Sequence, residues 1–264
     1  MAKTKRRKVS AKSRRERTNK QLYRLIFLLL GLVVAMGIYR ACGKQDDRFH
    51  TFEDFRQYRK YPVWGVDVSH HNARIDWQTL YDENVSFVYL KSTEGVSHRD
   101  RNYKKHYAAA KKAGLKVGTY HFFSFTLDGN RQARHFIKNS KVTSKDMIPA
   151  IDVEHSTFNL PCEDEKCREK TVKELKKLET AILDHYGKRA LIYTNKDGYK
   201  LYIKNNFPEN PLWICDLHNE PGSEYKDWVI WQFSHTGKVN GAVNDIDLNY
   251  FRYAPEDFEK LLMP

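Results

Sequence analysis

The chain has 264 residues, of which 41% are hydrophobic and 13% aromatic, enough for one large globular domain or two small ones. Its formal charge of +13 suggests a nucleic acid or an anionic surface as partner, but the charge is concentrated at one end. Residues 1–24 carry eleven Lys or Arg and one acid, and subtracting these from 46 basic and 33 acidic residues leaves 35 against 32. The rest of the chain is therefore nearly neutral, and we expect no nucleic-acid partner.

An uncharged run of fifteen residues, 25–39, follows this basic segment directly. A membrane-spanning helix needs about 20 apolar residues, and the run reaches that length only with Tyr23 and with flanking arginines that extend to the interface. Because Lys/Arg-rich segments stay in the cytoplasm, the sequence predicts a cytoplasmic tail at 1–24, a single transmembrane helix at 25–42 and an extracytoplasmic remainder. A cleaved signal peptide is the alternative, disfavoured by the poor cleavage site at Tyr39-Arg40-Ala41.

The cysteines are compatible with export. Cys162 and Cys167 are spaced for a small disulfide loop in an oxidising compartment, whereas zinc would need a second ligand pair that the neighbouring sequence lacks. Cys215 lies in an apolar run, which is typical of a buried thiol. We expect no metal and no cofactor. Residues 43–61 are polar and aromatic without a sustained period, and we interpret them as a stalk.

From residue 62 onward, short apolar runs alternate with amphipathic helical stretches. The eight candidate strands are 63–69, 86–95, 116–125, 147–154, 190–195, 211–217, 228–234 and 245–251, and the candidate helices are 101–113, 130–139, 165–186 and 196–204. This alternation predicts an α/β fold, a (β/α)8 barrel over residues 62–264. The connections near 218–227 and 235–244 are too short for crossover helices. We therefore expect an irregular, TIM-like barrel with some antiparallel pairing at its closing end.

Acidic residues lie at or near the ends of several predicted strands. They are Asp67, Glu94, Asp152, Glu154 and Asp247. Catalytic groups of such barrels gather at the carboxyl ends of the strands, so these side chains should share one rim. Residues i and i+2 of a strand point to the same face, which puts Asp152 and Glu154 on one side of the pocket. Because like charges so close raise the pKa of the drier group, the pair is a candidate proton donor beside a charge stabiliser.

Eight motifs carry a family resemblance, in the family's order. They are GVDVSHHNARIDW (65–77), FVYLKSTEG (87–95), GLKVGTYHFF (114–123), IPAIDVE (148–154), LIYTN, PLWI, WVIWQFS and DIDLNYF. Over roughly residues 62–255 the chain resembles glycoside hydrolase family 25, the Chalaropsis-type lysozymes. The resemblance implies an incomplete (β/α)8 barrel that cleaves the β-1,4 bond between N-acetylmuramic acid and N-acetylglucosamine in peptidoglycan. One departure is Leu217, where the family commonly has a tyrosine.

The resemblance also implies roles for the acids. Glu154 is similar to the general acid, and Asp152 to the carboxylate that stabilises developing charge or orients the substrate's acetamido group. Asp67 and Asp247 are similar to the acids that support this pair. Breaking a glycosidic bond needs a proton on the leaving oxygen and negative charge near an oxocarbenium-like centre. An N-acetylated sugar can supply its own nucleophile, and an i, i+2 pair of acids suits that substrate-assisted route.

Strand aromatics form a second set of candidates. Burial statistics alone favour core positions for Tyr120, Tyr193 and Trp213, but their motifs favour sugar contacts. Glu94 either reaches the cleft or caps a turn. His70, His71 and His121 lack metal-ligand spacing and are expected to form hydrogen bonds at the cleft rim.

Two hypotheses therefore follow from the sequence: a membrane-tethered, monomeric muramidase that binds peptidoglycan glycan strands, or a catalytically inactive cell-wall-binding barrel. The complete set of four acids, Asp67, Asp152, Glu154 and Asp247, favours the enzyme, because an inactive barrel would be expected to lack at least one of them.

Overall fold

The computed structural model describes residues 60–72, 74–225 and 227–264, and within these ranges nine β-strands form one sheet. The strands are β1 (Trp64–Val68), β2 (Phe87–Glu94), β3 (His98–Arg99), β4 (Lys116–Phe122), β5 (Ala150–Asp152), β6 (Leu191–Asn195), β7 (Leu212–Cys215), β8 (Trp228–Gly237) and β9 (Ile246–Phe251). The predicted tail, transmembrane helix and nearly all of the stalk lie outside the described residues. Inside them, no helix combines the length and apolar character that a membrane crossing requires.

Eight strands close into a barrel. The order is β1-β9-β8-β7-β6-β5-β4-β2, and β1 also pairs with β2, while the short β3 extends β2 as a hairpin. Pairing is parallel from β1 through β2 and β4 to β8, and antiparallel where β9 joins β8 and β1. The predicted irregular (β/α)8 barrel, with antiparallel pairing at its closing end, is confirmed.

The helices in the described ranges cover the outside of this barrel. They are α1 (Trp77–Asp82), α2 (Tyr103–Ala113), α3 (Gly129–Asn139), α4 (Glu165–Tyr186) and α5 (Lys196–Gly198), which continues into a π-helical turn (Tyr199–Ile203); a 3-10 turn (Pro255–Leu261) follows β9. Side-chain caps set several boundaries: Asp76, Asp128 and Asp164 each accept a backbone N–H in the first turn of α1, α3 and α4. The sequence analysis did not predict α1 or the 3-10 turn.

Strand alternation separates two apolar cores. In β2, Val88 and Leu90 pack outward against the helices, whereas Phe87 and Tyr89 point into the barrel. The amino-terminal end of the barrel is filled, since the Phe258 ring of the 3-10 turn lies 5.4 Å from that of Phe87. Gly118 is required there, because a Cβ at this position would lie 2.2 Å from the Tyr89 ring. The opposite end, at the carboxyl ends of the parallel strands, is open to a ligand.

A disulfide joins Cys162 to Cys167 and ties the loop after β5 to the first turn of α4. The sequence had left this bond open as one possibility. Cys215 is a free, buried thiol, as its apolar neighbours predicted.

Candidate active site at the carboxyl ends of the strands

A cavity of about 390 Å³ opens at this end of the barrel. Its lining consists of Asp67, Ser69, His71, Lys91, Tyr120, Phe122, Asp152, Glu154, Tyr193, Trp213, Gln232, His235 and Asp247. Seven of the eight side chains selected from the sequence are in this set. The eighth, Glu94, is not part of the lining and instead forms an ion pair with Lys91 at 2.8 Å. In the described part of the chain, no group of three or more His, Cys, Asp or Glu is arranged to hold a metal ion.

Asp152 and Glu154 share one wall of the cavity because both follow the inward face of β5 and its extension. The backbone is fixed here by the bonds from Val153 N to Tyr193 O and from Phe123 N to Asp152 O, both 2.9 Å. Asp152 is only 6% exposed and Glu154 is partly exposed, so Glu154 is the acid nearer to solvent. Asp152 Oδ1 is buried and has no hydrogen-bond partner. A buried acceptor without a donor is costly, and an incoming N–H group would satisfy it.

Burial is the main cause of the unusual acidity of this pair. It raises the pKa of Glu154 to about 7, with the negative charge of Asp67 acting in the same direction. Burial and the charge of Glu154 also raise the pKa of Asp152. Because two acids so close disfavour each other's ionisation, they titrate as a unit, and this coupling favours a proton donor beside a negative charge.

Asp67 and Asp247 form a second acidic pair on the adjoining wall. They face each other across β1 and β9, and their side chains are hydrogen-bonded. Asp67 Oδ2 also accepts from Gln232 Nε2 and Asn249 Nδ2, both at 2.8 Å. Burial raises the pKa of both acids, while the two amides oppose this rise for Asp67. Because amide donors favour a carboxylate, Asp67 is the member of this pair that carries the charge.

The three predicted aromatic residues line the cavity and are largely buried. Tyr193 Oη donates to Gln232 Oε1 at 2.7 Å, and Trp213 Nε1 donates to Asn249 Oδ1 at 2.7 Å. These bonds orient the two amides that donate to Asp67. Tyr120 is 9% exposed and lies close enough to Asp152 for its charge to raise the pKa of the phenol, although burial is the larger cause.

Lys91 is a cavity residue that the sequence analysis missed. Its side chain is 11% exposed, and Nζ lies 4.5 Å from the centre of the Phe122 ring. Its positive charge lowers the pKa of both Asp152 and Glu154, against the larger effect of burial. The signal was present, since a lysine directly after the apolar run FVYL is unusual for a buried strand.

Gln232 and Asn249 were also missed, and each is likewise a polar residue inside an apolar strand. The prediction that His121 lies at the cleft rim was wrong. This side chain is fully buried on the outer face of β4, where it bonds to Thr93 Oγ1 at 2.8 Å and Gln132 Oε1 at 3.2 Å. Burial lowers its pKa to about 3. His71 does line the cavity.

A closed barrel with paired carboxylates in a cleft at the carboxyl ends of its strands is an arrangement typical of glycoside hydrolases. The family model described as "Glycosyl hydrolases family 25" matches residues 66–242, and the chain belongs to this family. It is accordingly an enzyme, a glycosidase of the lysozyme class.

Individual comparisons agree with the family match. A family 25 glycosyl hydrolase from Bacillus anthracis superposes with a TM-score of 0.72 at 36% identity, covering 78% of this chain and 95% of the other. Protein YegX of Escherichia coli K12 is 28% identical over 205 residues, 75% of this chain and 73% of its own length. Lysozyme M1 of Streptomyces globisporus is 28% identical over 207 residues, 72% of this chain and 67% of its own.

Proposed function

We propose that this protein is a Chalaropsis-type muramidase that hydrolyses the β-1,4 bond between N-acetylmuramic acid and N-acetylglucosamine in peptidoglycan. The observation that carries this proposal is the pair at the end of β5: Glu154 is accessible with a pKa raised to about 7, beside the buried and unpartnered Oδ1 of Asp152. A family relative from Streptomyces globisporus is named a lysozyme, which supports the same substrate class.

In the proposed reaction, protonated Glu154 donates its proton to the glycosidic oxygen as the C1–O bond breaks. The carbonyl oxygen of the 2-acetamido group attacks C1 and forms a cyclic oxazolinium intermediate. Asp152 Oδ1 accepts the acetamido N–H, which orients the group and stabilises its positive charge. Water then attacks C1 as the C1–O bond of the oxazolinium ring breaks and restores the acetamido group, and Glu154, now a carboxylate, takes the proton of the water. Two inversions at C1 leave the anomeric configuration retained.

The remaining lining residues have supporting roles in this proposal. Burial and the Asp67 charge raise the pKa of Glu154, and Asp247 holds the proton of its hydrogen bond to Asp67. Tyr120, Tyr193 and Trp213 contact the sugar from the cavity floor. Glu94 acts through its ion pair with Lys91 rather than by direct contact.

We further propose that residues 1–24 stay in the cytoplasm, that residues 25–42 anchor the chain, and that the barrel acts as a monomer on the outer side of the membrane. The basic run followed by an uncharged run supports this orientation. The Cys162–Cys167 disulfide is consistent with an oxidising compartment.

The test is to incubate the full-length protein, in detergent, with purified peptidoglycan and to identify the new reducing ends. We expect N-acetylmuramic acid at these ends, and a decrease in kcat of about 10²–10⁴-fold for Glu154→Gln. New ends that carry N-acetylglucosamine would overturn the bond assignment. Binding to peptidoglycan without new ends would instead favour the inactive wall-binding barrel.

A further inference from the structure

Two apolar side chains are unusually exposed close to the candidate active site. Phe158 is 82% and Leu160 72% exposed, the two highest values for large hydrophobic side chains in the described part of the chain. They flank Asn159 in the loop that leads from Glu154 to the Cys162–Cys167 disulfide. A single exposed apolar residue is common on protein surfaces, but two in one short loop indicate a contact surface. We call residues 158–160 the rim tip.

The rim tip is held in place without burying its apolar side chains. Asn159 is only 1% exposed, and its Nδ2 donates to Phe123 O at 2.6 Å and to Glu154 O at 3.3 Å. Its Oδ1 accepts from Phe125 N at 3.0 Å, and its backbone forms a closed turn with Ser156. The central residue of the tip is thus fastened to the backbone of the proposed general acid, while the residues on either side project into solvent.

The loop is also fixed at its far end. Cys162 is bonded to Cys167, and Cys162 N donates to Tyr202 Oη at 3.1 Å. Because both ends are anchored, the exposure of Phe158 and Leu160 is a property of the folded loop. Neither residue belongs to the cavity lining, but the tip lies only four to six residues beyond Glu154, which does line the cavity.

We propose that the rim tip is an accessory subsite that binds the N-acetylated glycan strand where it leaves the cavity. This inference rests on the proposed function. A polymeric strand is longer than a cavity of about 390 Å³ can hold, so it must continue over the rim. The faces of pyranose rings carry C–H groups that pack against an aromatic ring such as Phe158, and Leu160 adds apolar area beside it.

A lipid surface is the competing occupant, and the charge around the tip disfavours it. Residues 161–168 carry three acids, Glu163, Asp164 and Glu165, against Lys166 and Arg168, so this segment has a net negative charge that anionic lipids would repel. Membrane-binding surfaces usually surround exposed apolar residues with Lys and Arg instead. An uncharged sugar ring meets no such repulsion.

The test compares two substrates with the full-length protein in detergent: insoluble polymeric peptidoglycan and a soluble tetrasaccharide of the same repeat. For Phe158→Ala and Leu160→Ala we expect kcat/KM on the polymer to fall about tenfold relative to its change on the tetrasaccharide, mainly through KM. Phe158→Trp keeps an aromatic ring and should therefore retain most of the kcat/KM on the polymer. Tyr81→Ala is the matched control, because Tyr81 is an aromatic residue on α1 that is 48% exposed and does not line the cavity.

A binding measurement separates this inference from the proposed function. Sedimentation with peptidoglycan is repeated in the Glu154→Gln background, with and without Phe158→Ala. If the protein is active and the tip variants change kcat/KM equally on the polymer and on the tetrasaccharide, the subsite is overturned and the function stands. If the protein is inactive but Phe158→Ala weakens its binding to peptidoglycan about tenfold, the function is overturned and the subsite stands. Protein that neither cleaves nor binds would overturn both.

The lipid alternative has its own readout. The Phe158→Trp protein is reconstituted in vesicles that contain brominated phospholipid, and its fluorescence is compared with that of the unsubstituted chain. Extra quenching in the variant would place the tip in lipid and overturn the glycan subsite. Equal quenching supports it.

Discussion

Asp67 and Asp247 face each other across β1 and β9, and a hydrogen bond joins their side chains. Two carboxylates can form such a bond only when one of them is protonated. The amides of Gln232 and Asn249 both donate to Asp67, which favours its ionised form and leaves the proton on Asp247. The negative charge of Asp67 in turn raises the pKa of Glu154, in the same direction as burial.

The first prediction concerns this charge. Asp67→Asn removes it and should lower the pKa of Glu154 below about 7, because burial alone then opposes ionisation. Since the general acid must be protonated, activity should begin to fall at a lower pH than in the unsubstituted protein. The measurement is kcat/KM against pH. Asp257→Asn, in the 3-10 turn, is the control and should not shift the alkaline limb of the pH profile. An alkaline limb that does not move in Asp67→Asn would contradict the coupling between Asp67 and Glu154.

Lys91 should act in the opposite direction. Its positive charge lowers the pKa of Glu154, so Lys91→Met should move the alkaline limb of the same profile to higher pH. Lys141→Met is a suitable control, because Lys141 also lies over an aromatic ring, that of Tyr107 at 5.4 Å, but does not line the cavity. A shift to lower pH, or identical shifts in both lysine variants, would argue against this role for Lys91.

Stability should also depend on Glu154 and pH. Its pKa is raised from 4.5 to about 7 in the folded state, so its stabilising contribution is complete below pH 4.5 and is lost as pH rises through 7. The loss is on the order of 3 kcal/mol. Glu154→Gln cannot ionise and should be more stable than the unsubstituted protein at pH 8, with little difference at pH 5. Urea unfolding at both pH values measures this.

A second glutamate provides a control of opposite sign. Hydrogen bonds from Lys177 and from Gly129 N lower the pKa of Glu174, so its ionised form stabilises the fold above pH 4.5. Glu174→Gln should therefore be less stable than the unsubstituted protein at pH 8. Equal effects of the two substitutions at that pH would show that the change does not come from their ionisation.

The strands and long helices were predictable because their signals are local. The short apolar runs located all eight barrel strands, and the boundaries of α4 were found to the residue. The six-residue helix α1 was missed because it is too short to show a helical period. The 3-10 turn after β9 was missed for the same reason, although its Phe258 fills the end of the barrel.

The carboxylates of the site could be located from the sequence because strand ends meet at one rim. Their hydrogen-bond partners could not. Gln232 and Asn249 bond to Asp67 across 165 and 182 residues of chain, and no short-range pattern links them. His121 was expected at the rim, yet it follows Tyr120 directly, and because successive strand residues point to opposite faces it lies in the outer core. Such errors arise because the face that a strand residue occupies depends on the strand register, and the sequence alone does not show that register.

The last prediction concerns the Cys162–Cys167 disulfide. A bond that closes a six-residue loop stabilises the folded chain by about 2 kcal/mol, because it restricts the unfolded chain over only a short segment. The Cys162→Ser/Cys167→Ser protein should lose about this much unfolding free energy, and adding a reductant to the unsubstituted chain should have the same effect. Cys215→Ser serves as the control, since it leaves the bond intact and should remain sensitive to reductant. The effect is measured as the midpoint of urea unfolding in detergent, with and without dithiothreitol. A midpoint of the unsubstituted chain that does not respond to dithiothreitol would contradict a stabilising bond.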